Sequence, residues 1–87
     1  MAHTPAAITI DVSHLFAASG QAKLADLARY EAQVSDLVPP GSDVTLTGPG
    51  PIWLYLRLAH LLHGRVRILT YRSPVTGDLE IFNHNPN

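Results

Sequence analysis

A strand, a glycine-rich turn and an apolar helix follow one another in the middle of this chain, and this unit constrains the fold most. Residues 44–47 (Val-Thr-Leu-Thr) alternate apolar and polar side chains and are rich in β-branched residues, which is typical of a strand. The sequence Gly-Pro-Gly-Pro at 48–51 then predicts a tight turn, and residues 52–62 are almost wholly apolar. We expect Pro51 to be the first residue of the helix and Gly64 to end it in a left-handed conformation.

The start of this helix is the first candidate binding site. The first N–H groups of a helix have no partner within the helix, and together with the helix dipole they attract anions such as phosphate. A ligand that carries phosphate groups therefore fits this position.

The few polar residues of the central helix form a second candidate site. Spacings of three and four residues place Trp53, Arg57, His60 and His63 along one stripe. For any single histidine, a hydrogen bond to a neighbouring carbonyl at the edge of a buried helix is the better explanation. For the two histidines and the arginine together, beside a phosphate-type turn, we favour a functional role.

Composition limits what the protein can be. At 87 residues the chain predicts one domain, residues 1–87, with a modest core. Its hydrophobic content of 46% against 15% charged residues favours an oligomer in which another copy covers apolar surface. Cysteine is absent, which excludes disulfides and thiolate metal sites. Neither a run of about 20 apolar residues nor a signal segment is present, so we expect no membrane span and a cytoplasmic protein.

Charge is unevenly distributed along the chain, although the net charge is only −1. The first half is acidic, and every basic residue of the second half is an arginine, the side chain best suited to bidentate phosphate contacts. Four arginines are too few for tight binding to duplex DNA, which needs many phosphate contacts. They suffice for a small anionic ligand.

The flanking segments predict the remaining elements. Residues 7–12 alternate as a strand, and residues from 19–20 to Pro39 have loose helical spacing, with Tyr30 among the exposed positions. Residues 65–71 and 78–82 predict two strands that pair as a hairpin. The order βαβαββ indicates an α/β fold with a mostly parallel sheet and one antiparallel edge strand. Such sheets bind ligands at the carboxyl ends of their strands, where the turn lies.

The second half of the chain resembles a known family. The block Gly48-x-Gly50-Pro51-Ile52-Trp53-Leu54, then His60 and His63, then Tyr71, Gly77 and His84, resembles the small CRISPR-associated ring nucleases of type III systems. That family degrades cyclic tetra-adenylate and has also been described as a manganese-dependent RNA exonuclease. The resemblance covers roughly residues 45–86, and the order of residues in the block is unusual outside the family.

The resemblance implies a compact Rossmann-like (CARF-like) subunit that forms homodimers. Two dimers can sandwich a cyclic oligoadenylate, with binding and cleaving groups from different subunits, and hydrolysis switches off type III antiviral signalling. Carried onto this chain, the phosphate-contacting turn falls on Gly48, Pro49, Gly50 and Pro51. We expect Thr47 beside the turn and Arg57 of the helical stripe to bind the ligand as well. The implied catalytic histidines are His60 and His63.

One position departs from the family pattern. After the tyrosine the family has Asp-Pro-Arg, whose aspartate acts with the second histidine in metal binding, whereas here Tyr71 is followed by Arg72-Ser73-Pro74. In place of that aspartate, we expect Arg72 to stabilise the negative charge on the phosphate. His63 would accept the proton of the attacking ribose 2′-hydroxyl. If the enzyme uses Mn²⁺, the ligands would be His60, His63 and Asp78, the nearest acid across the loop.

Two further functions stay open at this stage. A cyclic oligoadenylate-binding protein that does not cleave, acting as a sponge or sensor, would have the same fold and anion site. A manganese-dependent RNA exonuclease would need the metal. We expect His84 to be a polar residue of the tail and not a member of the site.

Overall fold

Four strands form one sheet in the order β1-β2-β3-β4 in the computed structural model, which describes residues 4–84. The strands are β1 (Ala7–Asp11), β2 (Asp43–Thr47), β3 (Ile68–Ser73) and β4 (Gly77–Asn83). The first three run parallel to one another, and β3 and β4 form an antiparallel hairpin. The predicted α/β class, the Rossmann-like order and the antiparallel edge strand are confirmed.

Both α-helices, α1 (Leu27–Leu37) and α2 (Ile52–His63), lie on the same face of the sheet. Each connects neighbouring parallel strands in the same direction across the sheet, and right-handed connections then place both helices on one side. Two short 3₁₀ segments, Val12–Phe16 and Leu24–Asp26, precede α1. The domain is therefore a two-layer structure, and within the described residues no helix covers the other face of the sheet.

The core lies between this helical layer and the sheet. Leu54, Leu58 and Leu62 recur every four residues on α2 and have no exposed surface, as the helical period requires. Ile52 and Leu56 on the opposite side are 78% and 65% exposed, so one protomer alone leaves this apolar side of α2 uncovered. No helix within residues 4–84 is long and apolar enough to cross a membrane.

The first helix is shorter than its sequence pattern indicates. It begins at Leu27, not at residues 19–20. Tyr30, which we expected to be exposed, is fully buried, and its hydroxyl accepts the N–H of Lys23 at 3.1 Å. A tyrosine can lie in a core when its hydroxyl has such a partner.

The third strand begins three residues later than predicted. The N–H groups of Arg65 and Val66 both donate to the carbonyl of Leu62 at 3.0 Å, which extends the last turn of α2. Gly64 ends the helix as predicted, but with φ of −92° and ψ of 6°. Its conformation is therefore right-handed, and the expected left-handed cap is wrong.

Candidate functional site

The glycine-rich turn after β2 has a conformation that requires glycine at its first position. Gly48 has φ of +96°, and a Cβ there would overlap the carboxylate of Asp11. The hydroxyl of Tyr55, one turn into α2, donates to the carbonyl of Gly48 at 2.5 Å. Burial raises the pKa of Tyr55 to about 12, so the phenol keeps its proton and remains a donor. The turn therefore has Asp11 packed on one side and the hydroxyl of Tyr55 bonded to it on the other.

The helix start behind this turn is available to an anion. Pro51 is the N-cap of α2, with extended geometry, and not its first residue as predicted. Its carbonyl accepts the N–H groups of Leu54 and Tyr55 at 3.1 and 3.4 Å. Within the described chain no side chain caps α2, which leaves the first N–H groups for a ligand or for water.

Asp11 is the acid nearest the turn, although it is not among the site residues predicted from the sequence. Its carboxylate accepts the N–H and the hydroxyl of Ser13 at 2.9 and 2.6 Å, and Nε2 of His14 lies 3.9 Å away. The hydrogen bonds from Ser13 lower the pKa of Asp11, so it stays ionised and repels a phosphate on its side of Gly48. An aspartate followed two residues later by serine at a strand end was the available signal, since such pairs form local turns.

Arg57 does not reach the turn. It lies six residues along α2 from Pro51, roughly 9 Å by helical rise, and its guanidinium pairs with Glu31 of α1 at 3.4 Å. Thr47 does lie beside the turn, where its hydroxyl donates to the carbonyl of Arg72 at 3.2 Å. The structure therefore groups Thr47 with the turn and separates Arg57 from it.

Arg72 and Asp78 face each other across the β-hairpin at its loop end. Two hydrogen bonds of 2.8 and 3.3 Å join them, and each side chain is about half exposed. The pair lowers the pKa of Asp78 and raises that of Arg72. Because the pair is exposed, it is weak, and a phosphate near the turn can replace Asp78 as the partner of Arg72.

The histidines occupy the other end of α2. His63 packs edge-on against Phe82 and His84, with ring centroids 5.1 and 4.7 Å away. The backbone N–H of His84 donates to the carbonyl of Arg67 at 2.7 Å, which anchors it beside the sheet. His84 therefore joins His63, contrary to our expectation. His60 lies exposed one turn earlier.

The predicted site is thus divided between the two ends of one protomer. Pro51 and His63 are separated by roughly 18 Å along α2. Arg72 pairs with Asp78 at the loop end of the hairpin, whereas Asn83, next to His84, pairs with Ile68 at the far end. A strand rise of about 3.3 Å per residue puts roughly 13 Å between the ends of this ladder.

The proposed metal ligands do not come together either. His60 and His63 lie at the end of α2, but Asp78 is at the opposite end of the hairpin and is paired with Arg72. Among residues 4–84 no three histidine, aspartate or glutamate side chains converge on a point where a metal ion could bind. These three proposed ligands therefore do not form a manganese site within one protomer.

A model of the family described as CRISPR-associated protein (Cas_csx3) matches residues 17–87, which is most of the chain. Comparisons with curated proteins and with solved structures give no significant match. The family match includes the turn, both α2 histidines, His84 and the Arg72–Asp78 pair. Asp11 precedes it.

Proposed function

The chain belongs to this CRISPR-associated family, Cas_csx3, and we propose that it is a ring nuclease that binds and cleaves a cyclic oligoadenylate, with cyclic tetra-adenylate as the expected ring. The biological result would be the end of type III antiviral signalling. Homodimers, paired into a dimer of dimers around the ring, would be the active form. The proposal combines the sequence resemblance with the family match.

The division of the site between the two ends of α2 is the observation that carries this proposal. A ring bound on the turn of one subunit lies too far from the histidines of the same subunit to be cleaved by them. A second subunit that presents its His63 end to that ring supplies the missing groups. The split therefore supports a sandwich in which binding and cleaving groups come from different subunits.

An apolar groove supports the homodimer. It lies between α2 and the hairpin and has a volume of about 570 Å³, and none of the described residues that line it is charged. Ile52, Leu56 and Ile81 in this groove are 78%, 65% and 46% exposed. Protein interfaces have cores that are poor in charge, and an apolar patch of this kind is rarely left open to water. We assign it to a second copy because a ring with repeated units suits a symmetric pair of turns.

The chemistry that fits the histidine pair needs no metal. His63 would accept the proton of a ribose 2′-hydroxyl while that oxygen attacks the adjacent phosphorus. As the P–O5′ bond breaks, protonated His84 would give its proton to the departing 5′ oxygen. The products are a 2′,3′-cyclic phosphate and a 5′-hydroxyl end. Arg72 of another subunit would stabilise the charge that builds up on the phosphate oxygens.

A binding protein without cleavage remains the second candidate. It is favoured by the replacement of the family's aspartate by Arg72, and by the engagement of Arg72 with Asp78. Such a protein would hold the ring and remove it from solution. A manganese-dependent exonuclease is supported less, because the candidate ligands do not converge.

The test is incubation of the protein with cyclic tetra-adenylate under single-turnover conditions, with EDTA or with Mn²⁺, followed by chromatography. We expect linear products with 2′,3′-cyclic phosphate ends at similar rates in both. An intact ring that co-elutes with the protein would establish the binding protein instead. Cleavage only with Mn²⁺ would contradict the metal-free mechanism.

A further inference from the structure

A cavity of about 680 Å³ opens beside the turn, between the first 3₁₀ segment and the start of α2. Its walls include Phe16 and Trp53, with Pro49 and Gly50 of the turn between them. Its volume lies in the range of small-molecule sites. The proposed function, which concerns the phosphate and the cleaved bond, gives this cavity no role.

Two aromatic rings in this cavity are partly exposed and held in place. Phe16 packs against the buried ring of Tyr30, with centroids 6.4 Å apart. Gly50 lies so close to the 3₁₀ segment that an added Cβ would be 2.8 Å from Val12 and 3.9 Å from Phe16. Trp53 packs partly against the core at the first turn of α2. Half-exposed rings held in this way are suitable surfaces for a stacked nucleobase.

The lining of the cavity carries little charge, and its Ser13 and His14 contact the carboxylate of Asp11. Among residues 4–84, no aspartate or glutamate lines it, and His14 is the only ionisable side chain in the lining. Gln21 at its rim is exposed, and an amide offers both the donor and the acceptor that adenine pairs with on its N6 and N7 edge. A neighbouring cavity contains Asp11 and Asp36 and would repel a nucleotide.

We infer that this cavity binds one adenine base of the oligoadenylate while the adjoining turn contacts the phosphate of the same nucleotide. Phe16 and Trp53 supply the stacking surface, and Gln21 reads the edge of the base. The inference rests on the proposed function for its ligand. It adds the recognition of adenine, which phosphate contacts alone cannot provide.

Trp53 makes the inference directly measurable, because it is the only tryptophan in the chain. Its fluorescence in the wild-type protein is titrated with cyclic tetra-adenylate, with adenosine 5′-monophosphate and with uridine 5′-monophosphate, and ring binding is followed in parallel by calorimetry. We expect saturable quenching by both adenine compounds and little by the uridine compound. Phe16→Leu should weaken ring binding roughly 5- to 150-fold, the usual range for one stacked base. Leu24→Ala, at an exposed position outside the cavity, is the control and should bind as wild type does.

The outcomes separate this inference from the proposed function. Ring binding by calorimetry with unchanged fluorescence, and with full affinity in Phe16→Leu, would overturn the adenine site and leave ring binding intact. Quenching by adenosine 5′-monophosphate without cleavage of the ring would support the adenine site and reject the nuclease. No binding of any adenine compound would overturn both. Circular dichroism checks that Phe16→Leu folds. Gln21→Ala, a change at an exposed position, should weaken binding of the adenine compounds and leave that of the uridine compound unchanged.

Discussion

The imidazole rings of His63 and His84 lie 4.7 Å apart and nearly perpendicular to each other, although one ends α2 and the other follows β4. Phe82 packs against both rings. Two imidazoles in contact can take a proton from one oxygen and give a proton to another at a single phosphodiester. This pair is therefore the centre of the proposed chemistry.

Because both histidines take part in the proposed chemistry, replacing either one should reduce cleavage of the ring to a similar extent. His63→Ala and His84→Ala should each reduce single-turnover cleavage of cyclic tetra-adenylate by at least about 100-fold, the usual contribution of one general acid or base. Ring affinity should change little, because the turn is untouched. Gln33→Ala, an exposed change on α1, serves as the control. Full activity in His84→Ala would remove this residue from the mechanism.

The Arg72–Asp78 pair predicts effects of opposite sign. Arg72→Ala should weaken both ring binding and cleavage, because it removes a partner for phosphate. Asp78→Asn should strengthen ring binding, since it frees Arg72 from a competing carboxylate. Both variants should unfold at nearly the same urea concentration as wild type, because exposed ion pairs add little stability. Weaker binding in Asp78→Asn would instead assign that carboxylate to the site.

The groove between α2 and the hairpin predicts the subunit interface. Leu56→Lys should produce a 9.4 kDa monomer in light scattering, because a charge in an interface core is strongly unfavourable. Leu37→Lys is a matched control, since Leu37 is also exposed, at 57%, but lies on α1 outside the groove. An unchanged oligomer in Leu56→Lys would place the interface elsewhere, and a monomeric wild type would exclude the dimer.

Gly48, in the turn, and Gly64, at the end of α2, should respond differently to replacement by alanine. Gly48→Ala should destabilise the protein by about 1–3 kcal/mol, because it combines a positive φ with a clash against Asp11. Gly64→Ala should stabilise it by about 0.5 kcal/mol, since φ is already −92° and a Cβ there has no neighbour within 4 Å. Urea unfolding measures both. Equal destabilisation would show that Gly64 needs its left-handed freedom after all.

The local sequence pattern predicts the layers of this fold well. Alternating residues such as those of β2 and the leucines of α2 specify which side of each element is buried, and the order of elements then limits how the sheet can pair. The expected hairpin and the turn before α2 follow from the same reasoning. These features depend on near neighbours in the chain.

Contacts beyond a single helix or strand account for most of what the sequence did not predict. The burial of Tyr30 depends on the backbone of Lys23, and Arg57 is drawn to Glu31 on another helix. His84 joins His63 only because β4 pairs with β3 and returns the chain to the end of α2. Helical spacing places Arg57 and His63 on one stripe, but the rise of about 1.5 Å per residue also puts the turn and the histidines at opposite ends of that helix, a separation that was available from the sequence.

Complementation between two inactive variants tests the divided site most directly. His63→Ala keeps the turn end, and Arg72→Glu keeps the histidine end but repels phosphate. Each alone should cleave cyclic tetra-adenylate poorly. Mixed in equal amounts and allowed to exchange subunits, they should recover a substantial part of wild-type activity, because some rings then lie between an intact turn and an intact histidine pair. A mixture no more active than the two variants measured separately would contradict a site built from two subunits.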